Sequence, residues 1–129
     1  MQNEFLNYDL SVELIKLGFD KKCLAWYNFE VFTMYGEDLL LESYCKDYGI
    51  IAPLWQQAFD FIRTTYFLVP ELNYIDHITG WVFSIEHIST GKIVDESNSG
   101  ADLFLSYEDC RTLALNCLIK HCEDRLSIY

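Results

Sequence analysis

Hydrophobic and polar positions along this chain alternate with two different periods, and a clear helical one sits at its centre. In residues 53–66, PLWQQAFDFIRTTY, a spacing of about 100° per residue places Leu54, Trp55, Ala58, Phe59, Phe61, Ile62 and Tyr66 within an arc of roughly 160°. Thr65 is the polar intruder on that side, and Gln56, Gln57, Asp60, Arg63 and Thr64 take the other. Pro53 suits the first helical position, where its missing N–H costs nothing. The pattern predicts an amphipathic helix lying on a sheet, with the fold organised around it.

Residues 8–17 read as an earlier helix. Asn7 is its N-cap and Gly18 the left-handed residue that ends it, which puts Phe19 in reach of Leu14. Leu10, Leu14 and Leu17 form one stripe, and Tyr8, Val12 and Ile15 a second, so this helix fits a groove. Residues 23–35 are rich in Trp, Tyr, Phe, Val and Thr and read as strand, divided in two if the chain turns at 28–30. Residues 36–51 have no clear period; a short helix over 37–46 and an irregular excursion are both open.

Period-two alternation returns in residues 72–78 and 81–89. A two-residue turn at Thr79–Gly80 would pair Ile78 with Trp81, Tyr74 with Ile85 and Leu72 with His87. One face then carries Leu72, Tyr74, Ile78, Trp81, Phe83 and Ile85, and the other Asn73, His77, Ser84 and Glu86. Asp76 falls on the dry face opposite Phe83, a conflict that a longer turn would remove. Residues 89–102 read as loop. The last helix starts at Tyr107, with Ser106 as N-cap and Asp109 completing a capping box. Cys110, Leu113, Ala114, Cys117, Leu118 and His121 make its sheet-facing stripe. Leu115, Ile119, Cys122 and Leu126 make a second stripe, for which cover by the first helix within a monomer is expected ahead of a symmetric homodimer.

These elements predict an α+β fold in one domain spanning residues 1–129. The expected order is α–β(β)–α–β–β–α, with an antiparallel sheet of three to four strands and helices mainly on one face. Hydrophobic residues make up 51% of the sequence, including nine Phe, nine Tyr and three Trp, which excludes a wholly disordered chain. No segment has the run of about 20 apolar residues that spans a membrane. The opening MQNEFLNYDL has neither a basic nor an apolar leader region, so a soluble cytoplasmic protein is expected. The five cysteines, Cys23, Cys45, Cys110, Cys117 and Cys122, contain no CxxC pair and read as free thiols. The net charge of −11 opposes nucleic-acid binding by charge attraction and suits solubility, a basic partner or mimicry of nucleic-acid charge.

Three stretches, LIKLGFDKKCLAWY, IAPLWQQAFDFIRTTY and SYEDCRTLALNCLIKHC, together resemble a family of small uncharacterised proteins of Bacteroides-type gut bacteria, their phages and mobile elements. The resemblance covers about half the chain and leaves out residues 36–51 and the acidic loop. It implies a bacterial or phage cytoplasmic protein and brings no catalytic residue with it.

Candidate chemistry is sparse. Cys117 and His121, four apart on one helical face, have a zinc-ligand spacing but need two more ligands, and packing explains them more simply. Asp95, Ser97, Ser99 and Gly100 echo an EF-hand opening, yet Ser106 stands where the loop needs a bidentate glutamate, so a polar turn is the better reading. A set assembled from His77, Ser84 and either Asp76 or Glu86 lacks a GxSxG elbow, and there is no glycine-rich phosphate loop. No catalytic, cofactor-binding or metal residue is assigned. The sequence points to a non-enzymatic interaction protein whose partner is another protein. The alternatives are an enzyme site around His77, Glu86 and residues 36–51, and a charge mimic.

Overall fold

The computed structural model describes residues 2–28, 31–34, 49–97 and 105–128. The fold is α+β, as the patterning predicts, and among the described residues its strands form two three-stranded antiparallel sheets in place of one. The chain divides into two compact units, Met1–Asp60 and Phe61–Tyr129. The boundary falls inside the central helix.

In the first unit, a short 3-10 turn at Gln2–Glu4 precedes helix α1, Tyr8–Lys16. Both expected caps are present. The Leu10 N–H donates to Asn7 Oδ1 at 2.9 Å. Gly18 has φ +103°, its N–H donates to Ile15 O at 2.9 Å, and the Phe19 N–H reaches Leu14 O at 3.3 Å, which closes a Schellman motif. Leu10, Leu14 and Leu17 are buried, while the Tyr8, Val12 and Ile15 stripe is half-buried.

Strands β1 (Ala25–Asn28) and β2 (Val31–Met34) confirm the division of residues 23–35, with Asn28 opposite Val31. Strand β3 (Gly49–Ala52) pairs with the other edge of β1 and packs against α1. Its residues read as irregular in sequence because four positions are too few to display a period. The possible helix over residues 37–46 lies outside the described residues. Phe5, Ala25, Tyr27 and Ala52 form a buried cluster, and the Tyr27 hydroxyl donates to Leu6 O at 2.7 Å.

Helix α2 (Trp55–Tyr66) has Pro53 ahead of its N-cap rather than in its first turn. Gln57 performs the capping: its Oε1 accepts the Leu54 N–H at 2.9 Å and its amide donates to Lys22 O at 2.8 Å. The organising role expected for this helix is corrected. The helix packed along β4 and β5 is the C-terminal one. Amphipathicity in residues 53–66 shows that a face is covered and does not identify the cover.

The second unit contains β4 (Leu68–Asp76), β5 (Gly80–His87), β6 (Ile93–Glu96) and α3 (Tyr107–Ile128). The hairpin register differs from the expected one by four residues: Tyr74 faces Trp81, Leu72 faces Phe83 and Leu68 faces His87. An even shift preserves each residue's face. Phe83 and Ile85 are therefore buried, as predicted, whereas Tyr74, expected on the same dry face, is exposed, and Ile78 moves into the turn and is exposed. The cause is Asp76, whose Oδ1 accepts the N–H groups of Ile78 and Thr79 at 2.9 and 2.7 Å. That three-residue turn and an extra residue between Tyr74 and the Asp76–Gly80 pair remove the conflict on the dry face.

The reading of residues 89–102 as loop is corrected by β6, which adds an edge strand to β5. Helix α3 begins at Tyr107 with the Asp109 N–H donating to Ser106 Oγ at 3.1 Å. Cys110, Ala114 and Leu118 of its first stripe are buried, but Leu113 is exposed. Leu115, Ile119 and Cys122 of the second stripe are buried within a single chain; Leu126 lies outside the described side chains.

Candidate functional site

Titratable groups of different elements meet where β6 faces α3. Asp95 is paired with Ile85, so it shares the face of the sheet that the helix covers. Cys117 and His121, one turn apart on α3, both reach it. His121 Nε2 lies 3.0 Å from Asp95 Oδ2, and the Cys117 thiol donates to the same oxygen at 3.5 Å. The other oxygen, Oδ1, accepts the Glu96 N–H at 2.8 Å. The i, i+4 spacing of Cys117 and His121 was visible in the sequence; their partner was not, because Asp95 lay in a stretch read as loop.

The electrostatics follow from these contacts. The hydrogen bond with His121, helped by Glu96 N–H and the Cys117 thiol, holds the Asp95 carboxyl below the usual carboxylate range against the opposing effect of burial. Burial first, then the Asp95 charge and hydrogen bond, pushes the Cys117 thiol up. A thiol kept protonated is a poor nucleophile and a poor metal ligand, since both roles need the thiolate. In a nucleophilic dyad the imidazole would accept the thiol proton. Here thiol and imidazole converge on one carboxylate oxygen instead. Among the described residues no three His, Cys, Asp or Glu side chains are placed to hold a metal ion.

The other candidates separate. His77 occupies the exposed hairpin turn, whereas Glu86 pairs with Val69 near the far end of β5, roughly 20 Å away at strand rise. Ser84 pairs with Glu71. Of the third member of that alternative site, residues 36–51, positions 36–48 lie outside the described residues and 49–51 belong to β3. Of the EF-hand echo, Asp95 is in a strand, Ser97 Oγ accepts the Phe83 N–H at 3.0 Å, and Ser106 caps α3; Ser99 and Gly100 lie outside the described residues. Charge mimicry would draw on two acidic clusters, Glu30–Asp47 and Asp95–Asp109; the acids of the first lie outside the described residues, and Asp95 of the second is tied to α3.

The first unit has an open cavity of about 350 Å³ lined by Asn3, Phe5, Asn7 and Tyr27. Several of its polar atoms take part in internal bonds: Asn7 Oδ1 caps α1, the Tyr27 hydroxyl donates to Leu6 O, and Asn3 O accepts the Trp55 indole N–H at 3.2 Å. Cys23, Cys110, Cys117 and Cys122 are free thiols, and burial pushes Cys122 up to about 12. No helix of the described residues is long and apolar enough to cross a membrane. No protein-family model matches the chain, and no curated protein or solved structure matches it either.

Proposed function

We propose that this chain is a small acidic interaction protein that works by binding another protein, as a monomer in the cytoplasm, without catalysing a reaction. The observation that carries this reading is the geometry of the Asp95–Cys117–His121 cluster, in which thiol and imidazole converge on one carboxylate oxygen. Its one nucleophile is held as a thiol and both carboxylate oxygens are occupied, which suits a tether between an edge strand and a helix. Its origin in a phage or mobile element rests on the three sequence stretches alone. Nucleic-acid attraction is opposed by the charge of −11.

The test is alkylation of the native protein with iodoacetamide across neutral pH, read by peptide mass spectrometry. Slow labelling of Cys117 that accelerates only in strong base or on unfolding is expected. Rapid, stoichiometric labelling of Cys117 at neutral pH, abolished by His121→Ala, would restore the enzyme reading.

A further inference from the structure

At the turn end of the second sheet, three aromatic rings form a ladder. Tyr74 and Trp81 are cross-strand partners with ring centroids 5.8 Å apart, and Trp81 lies 5.0 Å from Tyr107 at the start of α3. The Arg111 guanidinium sits 5.5 Å from the centre of the Tyr107 ring. The arrangement is fixed from both sides: the Trp81 N–H donates to Leu105 O at 3.0 Å, and Asp76 holds the adjoining turn. Tyr74 is 55% exposed and Tyr107 42%, while Ile75 and Ile78, beside them in the chain, are 53% and 73% exposed. Tyr, Trp and Arg are the side chains most enriched at binding hot spots, and a rigid ladder loses little entropy on contact. The remaining large apolar side chains exposed elsewhere form no comparable ring-to-ring series among the described residues.

The charges beside this end select the occupant. Asp76, Glu108 and Asp109 are exposed carboxylates next to these rings in the chain, and the Arg111 guanidinium lies over Tyr107. Phosphate backbones and a second copy of a chain carrying −11 would both be repelled. We infer that the surface of Tyr74, Ile78, Trp81 and Tyr107 docks a protein whose contact patch is apolar at its centre and rimmed by Lys or Arg. The inference rests on the interaction reading above. It goes further by naming the surface and the partner's chemistry. Carboxylates at the rim would speed encounter and reject acidic competitors, and the rings would supply the apolar contact.

The experiment pans the full chain against a random peptide library, then measures affinities of the enriched, synthesised peptides. Wild type is compared with Ile78→Asp, with Tyr74→Ser as the milder surface change and with Ile93→Ser on the edge strand as control. The expected peptides combine Lys or Arg with aromatic or aliphatic residues. They bind Ile78→Asp at least about tenfold more weakly, are unaffected by Ile93→Ser, and weaken as salt is raised. Near-UV circular dichroism verifies folding, and Tyr74→Ser decides if Ile78→Asp is unfolded. Peptides that bind both surface variants like wild type overturn this surface while leaving the interaction reading intact. Acidic or uncharged peptides overturn the partner chemistry. Self-association of wild type lost in Ile78→Asp would replace the basic partner with a second copy. Failure of the wider reading shows separately, in Cys117 alkylation, which does not involve Ile78.

Discussion

The first sheet, β2–β1–β3, contains no charged residue, whereas the second, β4–β5–β6, carries Glu71, Asp76, Glu86, Asp95 and Glu96. The two share a strand count and antiparallel pairing but are held by different physics. The first relies on close backbone approach and aromatic packing, with Tyr27 at 5.8 Å from Tyr8 and 5.7 Å from Phe32 between ring centroids. The second is covered by α3, and its edge strand is anchored through a carboxylate aimed inward. An inward acid on an edge strand resists both register slip and pairing with a foreign strand. Its partner on the helix turns that deterrent into an attachment.

The sharpest way to break the first sheet is Gly49→Ala. A Cβ there would lie 1.6 Å from Tyr27 O and 2.7 Å from its carbonyl carbon, both backbone atoms that cannot step aside. A loss of about 3 kcal/mol or more in urea unfolding is expected. An unchanged midpoint would mean that β3 does not approach β1 in this way.

Next in size is Tyr27→Phe, which deletes the buried hydroxyl bonded to Leu6 O and leaves that carbonyl unpaired. About 1–2 kcal/mol should be lost, with no change in the denaturant slope. Comparable in size and opposite in sign is Phe67→Gly. Phe67 follows α2 with φ +60°, a left-handed conformation that costs a non-glycine residue about 1–2 kcal/mol, and its side chain is half exposed. Thermal unfolding should shift upward by a few degrees, for a gain of about 1 kcal/mol or less.

What the sequence made legible was local. Asn7, Gly18 and Phe19 specify the ends of α1 within one turn of chain, and Ser106 with Asp109 does so for α3. Face parity in the hairpin was readable because alternation survives an even shift in register. The register itself was not, since Thr79–Gly80 looks like a complete turn until Asp76 binds two N–H groups beyond it. Strand β6 has only Ile93 and Val94 as apolar signals, both exposed, and its pairing is set by β5. The Asp95–His121 contact spans 26 positions, so the strand had to be known before the site could be seen. Helix α2 shows the converse limit, a clear apolar face whose cover no pattern names.

Acid should distinguish the two sheets mildly. Asp95 and Asp76 have pKa values lowered in the folded state, by the His121 hydrogen bond and by the turn N–H groups respectively. Their contribution is therefore complete above the ordinary carboxylate range, near pH 4, and is lost as pH falls through the lowered values. Both carboxylates are substantially exposed, so the effect is small. Stability should decline below about pH 4, and the slope should decrease in Asp95→Asn and in Asp76→Asn.

Native-state hydrogen exchange of wild type and Asp95→Asn tests the tether most directly. The Ser97 amide, which donates to Phe83 O at 2.8 Å, reports on β6 attachment. In Asp95→Asn, Ser97 and the β6 amides should exchange faster, with protection in β1, β3 and the β4–β5 pair unchanged. Unaltered β6 protection would contradict the tether and return the Asp95–Cys117–His121 cluster to consideration as a reaction centre.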